Sequence, residues 1–237
     1  MRSSDGGSPA AALVVVSPHL DDAVLSAAVP LMRPGAHVVT VFAGAPPEGT
    51  PPADWDQITG ATDPVLRVRE RFVEDDRALA VLGVAGTTRL AFPDAQHVAD
   101  PADRTPHDQL VSALAPLLAG ADEVWAPSAI GGHPDHIAAR DAAVAAAGPT
   151  TTVHHYADLP YSLSRHWPRP EVRDWGGDAV ASDEFVRTVH QLDPDAQRRK
   201  VAAMACYETQ LTALELDQVL ATRDPEVVGV EISWTRR

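Results

Sequence analysis

The 237-residue chain carries 33 acidic and 19 basic side chains, a formal charge of −14, and 45% of its residues are hydrophobic. That composition suits a single domain with a full core, expected to span 1–237 with residues 1–10 as a disordered tail. No basic cluster exists to track phosphates, which argues against a nucleic-acid partner. A lone cysteine, Cys206, excludes an intrachain disulfide and any Cys-rich zinc knuckle. Lys200, the only lysine, leaves Schiff-base chemistry one candidate. No apolar run approaches the roughly 18 residues of a membrane span, so a cytoplasmic protein without a membrane partner is expected. Nothing in the pattern decides the oligomeric state.

In chain order, Ala11 to Val16 is valine-rich and too short for a helix, so it reads as a buried strand. Ser17-Pro18-His19-Leu20-Asp21-Asp22 follows at once, and Ala23 to Met32 suits a helix. Val38 to Phe42 is a second strand. A Pro- and Asp-rich stretch from Gly44 to about Asp63 is long for a compact domain and is expected to be a lid or substrate loop. Val65 to Leu82 has helical periodicity, with Gly83 placed as a C-cap. Thr88 to Phe92 is a strand, His107 to Leu118 a helix, Glu123 to Ala126 a strand. Pro134 to Ala147 is helical with proline at its start, and Thr151 to Tyr156 is a β-branched strand. A loop is expected from Pro160 to about Asp183, a long helix over Asp195 to Leu214, and a last strand over Val227 to Trp234. This alternation predicts an α/β fold, a three-layer sandwich around a mostly parallel, Rossmann-like sheet. Ligands in such sheets bind beyond the carboxyl ends of the strands.

Two clusters sit just past such ends. His19-x-Asp21-Asp22 offers imidazole and carboxylate, good ligands for zinc and similar ions. The plain alternative is that the two aspartates cap the next helix. His133-Pro134-Asp135-His136 follows Gly131-Gly132, with two histidines one turn apart on nearly the same helix face. Two such clusters at corresponding strand ends are much harder to obtain by accident than either alone. Together they supply two histidines and a carboxylate as ligands and leave an aspartate and a histidine over, the composition of a catalytic zinc site with an open position.

The chain resembles the PIG-L/LmbE-like zinc-dependent deacetylases, which remove acetyl groups from N-acetylglucosamine-containing substrates. The resemblance rests on those two motifs. It extends through Arg71-Phe72-Val73-Glu74 with Ala78 and Leu82-Gly83, Phe92-Pro93-Asp94, Tyr156 to Tyr161, and Lys200 with Tyr207 to Gln210. Leu20, Ala23 and Gly131 depart from the family's usual proline, glutamate and, in some members, tyrosine. The resemblance implies an LmbE-like fold with Zn2+, or another divalent metal, on His19, Asp22 and His136. It assigns Asp21 as general base, His133 as electrophilic or acid partner, Arg71 and Asp94 as substrate contacts, and Asp135 as support for a ligand histidine. The implied activity is hydrolysis of an N-acetyl group on an amino-sugar or glycosylated small molecule, in natural-product or sugar-thiol metabolism. The alternatives are an amidase of another acylated or thiol-conjugated compound and a noncatalytic sugar-binding domain. His154 and His155 in a strand point to opposite faces, so a second metal site there is not expected. Trp167 and Trp175 are candidates for stacking on a ligand.

Overall fold

The computed structural model describes residues 12–165 and 184–237; the expected N-terminal tail, Trp167 and Trp175 lie outside them. Among the described residues, seven strands form one sheet: β1 (Leu13–Ser17), β2 (His37–Thr40), β3 (Gly86–Arg89), β4 (Glu123–Pro127), β5 (Thr152–Tyr156), β6 (Phe185–Gln191) and β7 (Val230–Arg236). Their order is β3-β2-β1-β4-β5-β7-β6. The first five pair in parallel, and β7 and β6 add an antiparallel edge.

The layers follow from strand alternation. Leu13 and Val15 pack into one core with Ala78, Leu82 and Ala203, while Val14 and Val16 pack into another with Leu110, Leu114 and Ala139. β1 is therefore buried on both faces, which is why it reads as an unbroken valine run. The first core is covered by α1 (Asp22–Ser26), α2 (Ala28–Leu31), α4 (Pro64–Leu82) and α7 (Pro194–Met204); the second by α5 (His107–Leu118) and α6 (Pro134–Ala146). The remaining helices are short: α3 (Asp54–Ile58), α8 (Asp217–Thr222) and α9 (Pro225–Val228).

α4 is the best-specified helix. Asp63 caps it by accepting from the Val65 and Leu66 N–H groups, Pro64 takes the first turn, and Gly83 ends it at φ +73°. Its buried face carries Arg71, Glu74, Asp75, Ala78 and Leu82 at helical spacing.

Several expectations are corrected. The helix over Ala23–Met32 is broken at Ala27 (φ −138°), because the Glu231 carboxylate takes the Ala28 and Val29 N–H groups and starts a new helix. Lys200 bonds the same carboxylate at 2.8 Å, so the only lysine is spent inside the fold. The helix expected to Leu214 stops at Met204, where the chain turns so that Tyr207 reaches Asp75 and Thr209 reaches Glu74. Val227 and Val228 are helical, and the last strand starts at Val230. β6 was not expected, and the stretch from Gly44 to Asp63 contains α3.

His154 and His155 do point to opposite faces. His154 stacks on Trp125 with ring centroids 4.5 Å apart, and His155 sits edge-on to Phe185. Burial holds the His155 imidazole down to a pKa of about 4. Because the unfolded chain binds that proton near pH 6.5, its neutral form stabilises the fold fully above that pH. The contribution is lost as pH falls from 6.5 toward 4, by up to about 3 kcal/mol. Urea unfolding of metal-free protein should show this slope in the wild type and a flatter one in His155→Phe; identical slopes would exonerate His155.

Candidate functional site

The sheet order places the site. From β1 the chain builds outward to β2 and β3, then returns to β4 on the other side of β1. The loops leaving β1 and β4 therefore part at the switch point of the parallel sheet, where a crevice forms. These loops carry the two His/Asp motifs.

The motifs converge. The ring centroids of His19, His133 and His136 are 5.2–5.5 Å apart. His19 Nδ1 lies 3.1 Å and His136 Nε2 3.3 Å from the same Asp22 oxygen. Among the described residues, two sets of three potential ligand atoms, each within 4.8 Å of one another, share His19: His19, Asp22 and His136, and His19, His133 and Asp135. The second set is already committed to hydrogen bonds. Asp135 Oδ2 accepts from His19 Nε2 at 3.0 Å and from the Ala95 N–H at 2.9 Å, and His133 Nδ1 accepts the Asp135 N–H. In the first set His136 Nε2 is buried without a hydrogen-bond partner. A buried lone-pair nitrogen set beside a carboxylate oxygen is the arrangement that a cation would complete. His19, Asp22 and His136 therefore fit a divalent metal.

Asp158 was not singled out in the sequence. Its Oδ1 accepts a hydrogen bond from His136 Nδ1 at 2.7 Å, while Oδ2 accepts from Ser128 Oγ and the Ile130 N–H. Such a carboxylate behind a histidine fixes its tautomer and leaves Nε2 as the lone-pair nitrogen. Asp158 lies inside the Tyr156–Tyr161 run, but only the meeting of β5's end with α6 shows what it does. Asp135 stands behind His19 in the same way.

Asp21 occupies the N-cap position of α1 yet makes no capping bond; Ser17 Oγ accepts the Ala23 N–H instead. The plain capping alternative therefore fails for Asp21. Its carboxylate faces Arg71, whose Nη2 lies 3.3 Å from Oδ1. Asp22 bonds back to the His19 N–H. Arg71 and Asp94 both line the site cavity. Asp94 also caps the turn after β3 by accepting from the Gln96 backbone and side chain, and lies 3.8 Å from His19.

Burial pushes the Asp21 carboxyl up, and Asp22 adds to this against the pull of Arg71. Burial also opposes ionisation of Asp22, but His136 and His19 outweigh it and hold its pKa well below the usual range. For His136, burial is overcome by Asp22 and Asp158, which raise the imidazole to about 9. His133 goes the other way: burial, then His19 and His136, lower it. The Asp135 N–H on Nδ1 leaves Nε2 as the nitrogen that carries the ring proton when the imidazole is neutral, the form that burial favours.

The cavity holds about 170 Å³ and is also lined by Leu25, Trp55, Tyr161 and Gln210. Gly131 makes room for one wall. It sits at φ +92°, and a Cβ there would lie 2.7 Å from the Tyr161 ring, which stands edge-on to His136 at 5.4 Å. A larger groove of about 1100 Å³ runs along α5, α6 and β5 but contains none of the clustered carboxylates and histidines. Chemistry, not size, marks the site.

Solved structures share this architecture. Teicoplanin deacetylase in a zinc-inhibited form is 27% identical over 94% of this chain and 97% of that one, with a TM-score of 0.71. The deacetylase of the antimicrobial A40926 pseudoaglycone is 28% identical over 96% and 97%, with a TM-score of 0.70. A 4-carboxy-2-hydroxymuconate hydratase from Pseudomonas putida KT2440 shares the fold alone, at 19% identity over 94% and 95% and a TM-score of 0.58. No curated protein sequence matches the chain. The model of the PIG-L family, GlcNAc-PI de-N-acetylase, matches residues 14–147, more than half of the chain and both His/Asp motifs, and the chain belongs to this family of N-deacetylases.

Proposed function

We propose that this enzyme hydrolyses the N-acetyl group of an amino sugar carried on a glycosylated small molecule. His19, Asp22 and His136 would hold a divalent metal, zinc in the first instance, in a single domain. The observation that carries the reading is the buried, unpartnered His136 Nε2 set 3.3 Å from Asp22, beside an Asp21 that is not needed as a ligand. A metal bound there would polarise the acetyl carbonyl and acidify the attacking water.

The protein's own groups do the rest. Asp21 accepts the water proton as the new C–O bond forms and returns it to the nitrogen as the C–N bond breaks, giving acetate and a free amine. Arg71 holds the Asp21 carboxylate in place. His133 donates from Nε2 to the oxyanion without needing to be charged. Asp94 and Arg71 offer a carboxylate and a guanidinium to ring hydroxyls. Glycosylated substrates are supported by the teicoplanin and A40926 deacetylases among the structural neighbours.

The test is acetate and amine release from a panel of free and glycosidically linked N-acetyl amino sugars. The protein would be stripped of metal and reloaded with zinc, cobalt or manganese. One metal per chain and release from at least one amino sugar are expected. A neighbour's zinc-inhibited form makes the zinc concentration part of the experiment. Release only from acyl amides lacking a sugar would convert the reading to a general amidase. No release from any substrate would end it.

A further inference from the structure

We propose that Trp55 is the platform on which the substrate's sugar ring stacks, and that Gln210 is the positioning residue that fixes the indole. This deepens the amino-sugar reading and rests on it.

The site cavity is lined by groups of two kinds. Asp94, Arg71 and Gln96 are polar or charged, whereas Trp55, Leu25 and Leu214 are apolar. At about 170 Å³ it is smaller than the roughly 300 Å³ at which pockets for drug-sized ligands begin, so it takes one ring with its acyl group. A pyranose has the same duality. Its hydroxyls project from the rim and its C–H bonds make an apolar face. An indole offers a broad flat apolar surface of matching size, with its one polar atom at the edge.

That edge is occupied inside the protein. Trp55 Nε1 donates to Gln210 Oε1 at 2.9 Å, and Gln210 is fully enclosed. Gln210 in turn donates to Thr209 Oγ1, and Thr209 bonds Glu74 on α4 through both its N–H and its hydroxyl at 2.8 Å. Glu74 lies one turn from Arg71, so the indole and the guanidinium are referred to one helix. α3 is pinned a second time through Asp56, which accepts the Ala53 N–H and lies 2.9 Å from His97 Nε2. His97 belongs to the turn that Asp94 caps. Trp55 is thus held before any ligand arrives, by bonds to the segments that carry Arg71 and Asp94. A preorganised flat surface costs little to use.

A tryptophan that merely packs the loop would affect every substrate alike. The experiment therefore compares two substrates of the metal-loaded full chain: the amino sugar found active in the panel, and N-acetylethanolamine, which has the same scissile bond and no ring. Where the acyclic amide turns over too slowly, its competitive inhibition constant replaces kcat/KM. Trp55→Ala should lower kcat/KM for the sugar about tenfold, mainly through KM. It should change the acyclic value less than about threefold and leave metal content unaltered. Trp55→Phe should recover part of the loss, and Gln210→Leu should produce a smaller loss of the same selective kind. Equal losses on both substrates, or none on either, would overturn the platform while leaving the amino-sugar reading intact. A wild type that cleaves the acyclic amide but no amino sugar would remove both.

Discussion

His136→Ala is expected to abolish stoichiometric metal binding and, with it, acetate release. The imidazole supplies a buried nitrogen that has no hydrogen-bond partner, and alanine leaves only Asp22 and His19 as ligands. Asp158→Asn is the more discriminating variant. The Asp158 carboxylate serves three donors: His136 Nδ1 on one oxygen, Ser128 Oγ and the Ile130 N–H on the other. An asparagine has only one acceptor oxygen. If it keeps Ser128 and Ile130, its NH2 faces His136 Nδ1 and drives the ring proton to Nε2, the nitrogen a metal needs free. Metal affinity should then fall by about 10–100-fold with the chain still folded. Chelator competition measures that affinity, and circular dichroism checks the fold. Unchanged affinity in Asp158→Asn would mean that His136 is oriented by packing alone.

What could be read in advance divides along a physical line. Local signals were legible. A valine run buried on two faces announced β1, and Asp63, Pro64 and Gly83 bounded α4 with a cap, a first-turn proline and a left-handed glycine. The two motifs were legible because each is contiguous and each follows a strand, so the sheet order alone brings them together. What escaped depends on partners remote in sequence. The break at Ala27 is made by Glu231, 203 residues from Ala28. The long helix ends early because Tyr207 and Thr209 find Asp75 and Glu74, a gain no propensity records. Asp158 and Trp55 carry no motif of their own; each becomes informative only through His136 or Gln210. The edge strand β6 escapes because its side chains are only half-buried or exposed, so no hydrophobic run marks it. The strand ends bring His133 beside the other histidines, but the downward shift of its pKa follows from burial and then from how closely they crowd it.

Asp21→Asn should bind metal like the wild type and lose at least about 100-fold in kcat. Asp21 is not one of the groups whose atoms cluster as potential ligands, whereas its neighbour Asp22 is. The substitution keeps size and can keep an oxygen toward Arg71, so the 3.3 Å contact need not be lost. What disappears is the capacity to accept a proton. Burial already favours the protonated carboxyl, and Asp22 adds to this, so Asp21 is a stronger base than an exposed aspartate. A base worth about 10²–10⁴ in rate then accounts for the whole expected deficit, with KM nearly unchanged because ground-state contacts persist. Parallel measurements of kcat, KM and metal content on Asp21→Asn and Asp22→Asn separate the two roles. If Asp21→Asn loses the metal and Asp22→Asn does not, the two carboxylates have exchanged functions. If Asp21→Asn stays within about threefold of wild-type kcat with metal retained, the proton is taken by another group, and His133, an imidazole at the same cavity, is the residue to substitute next.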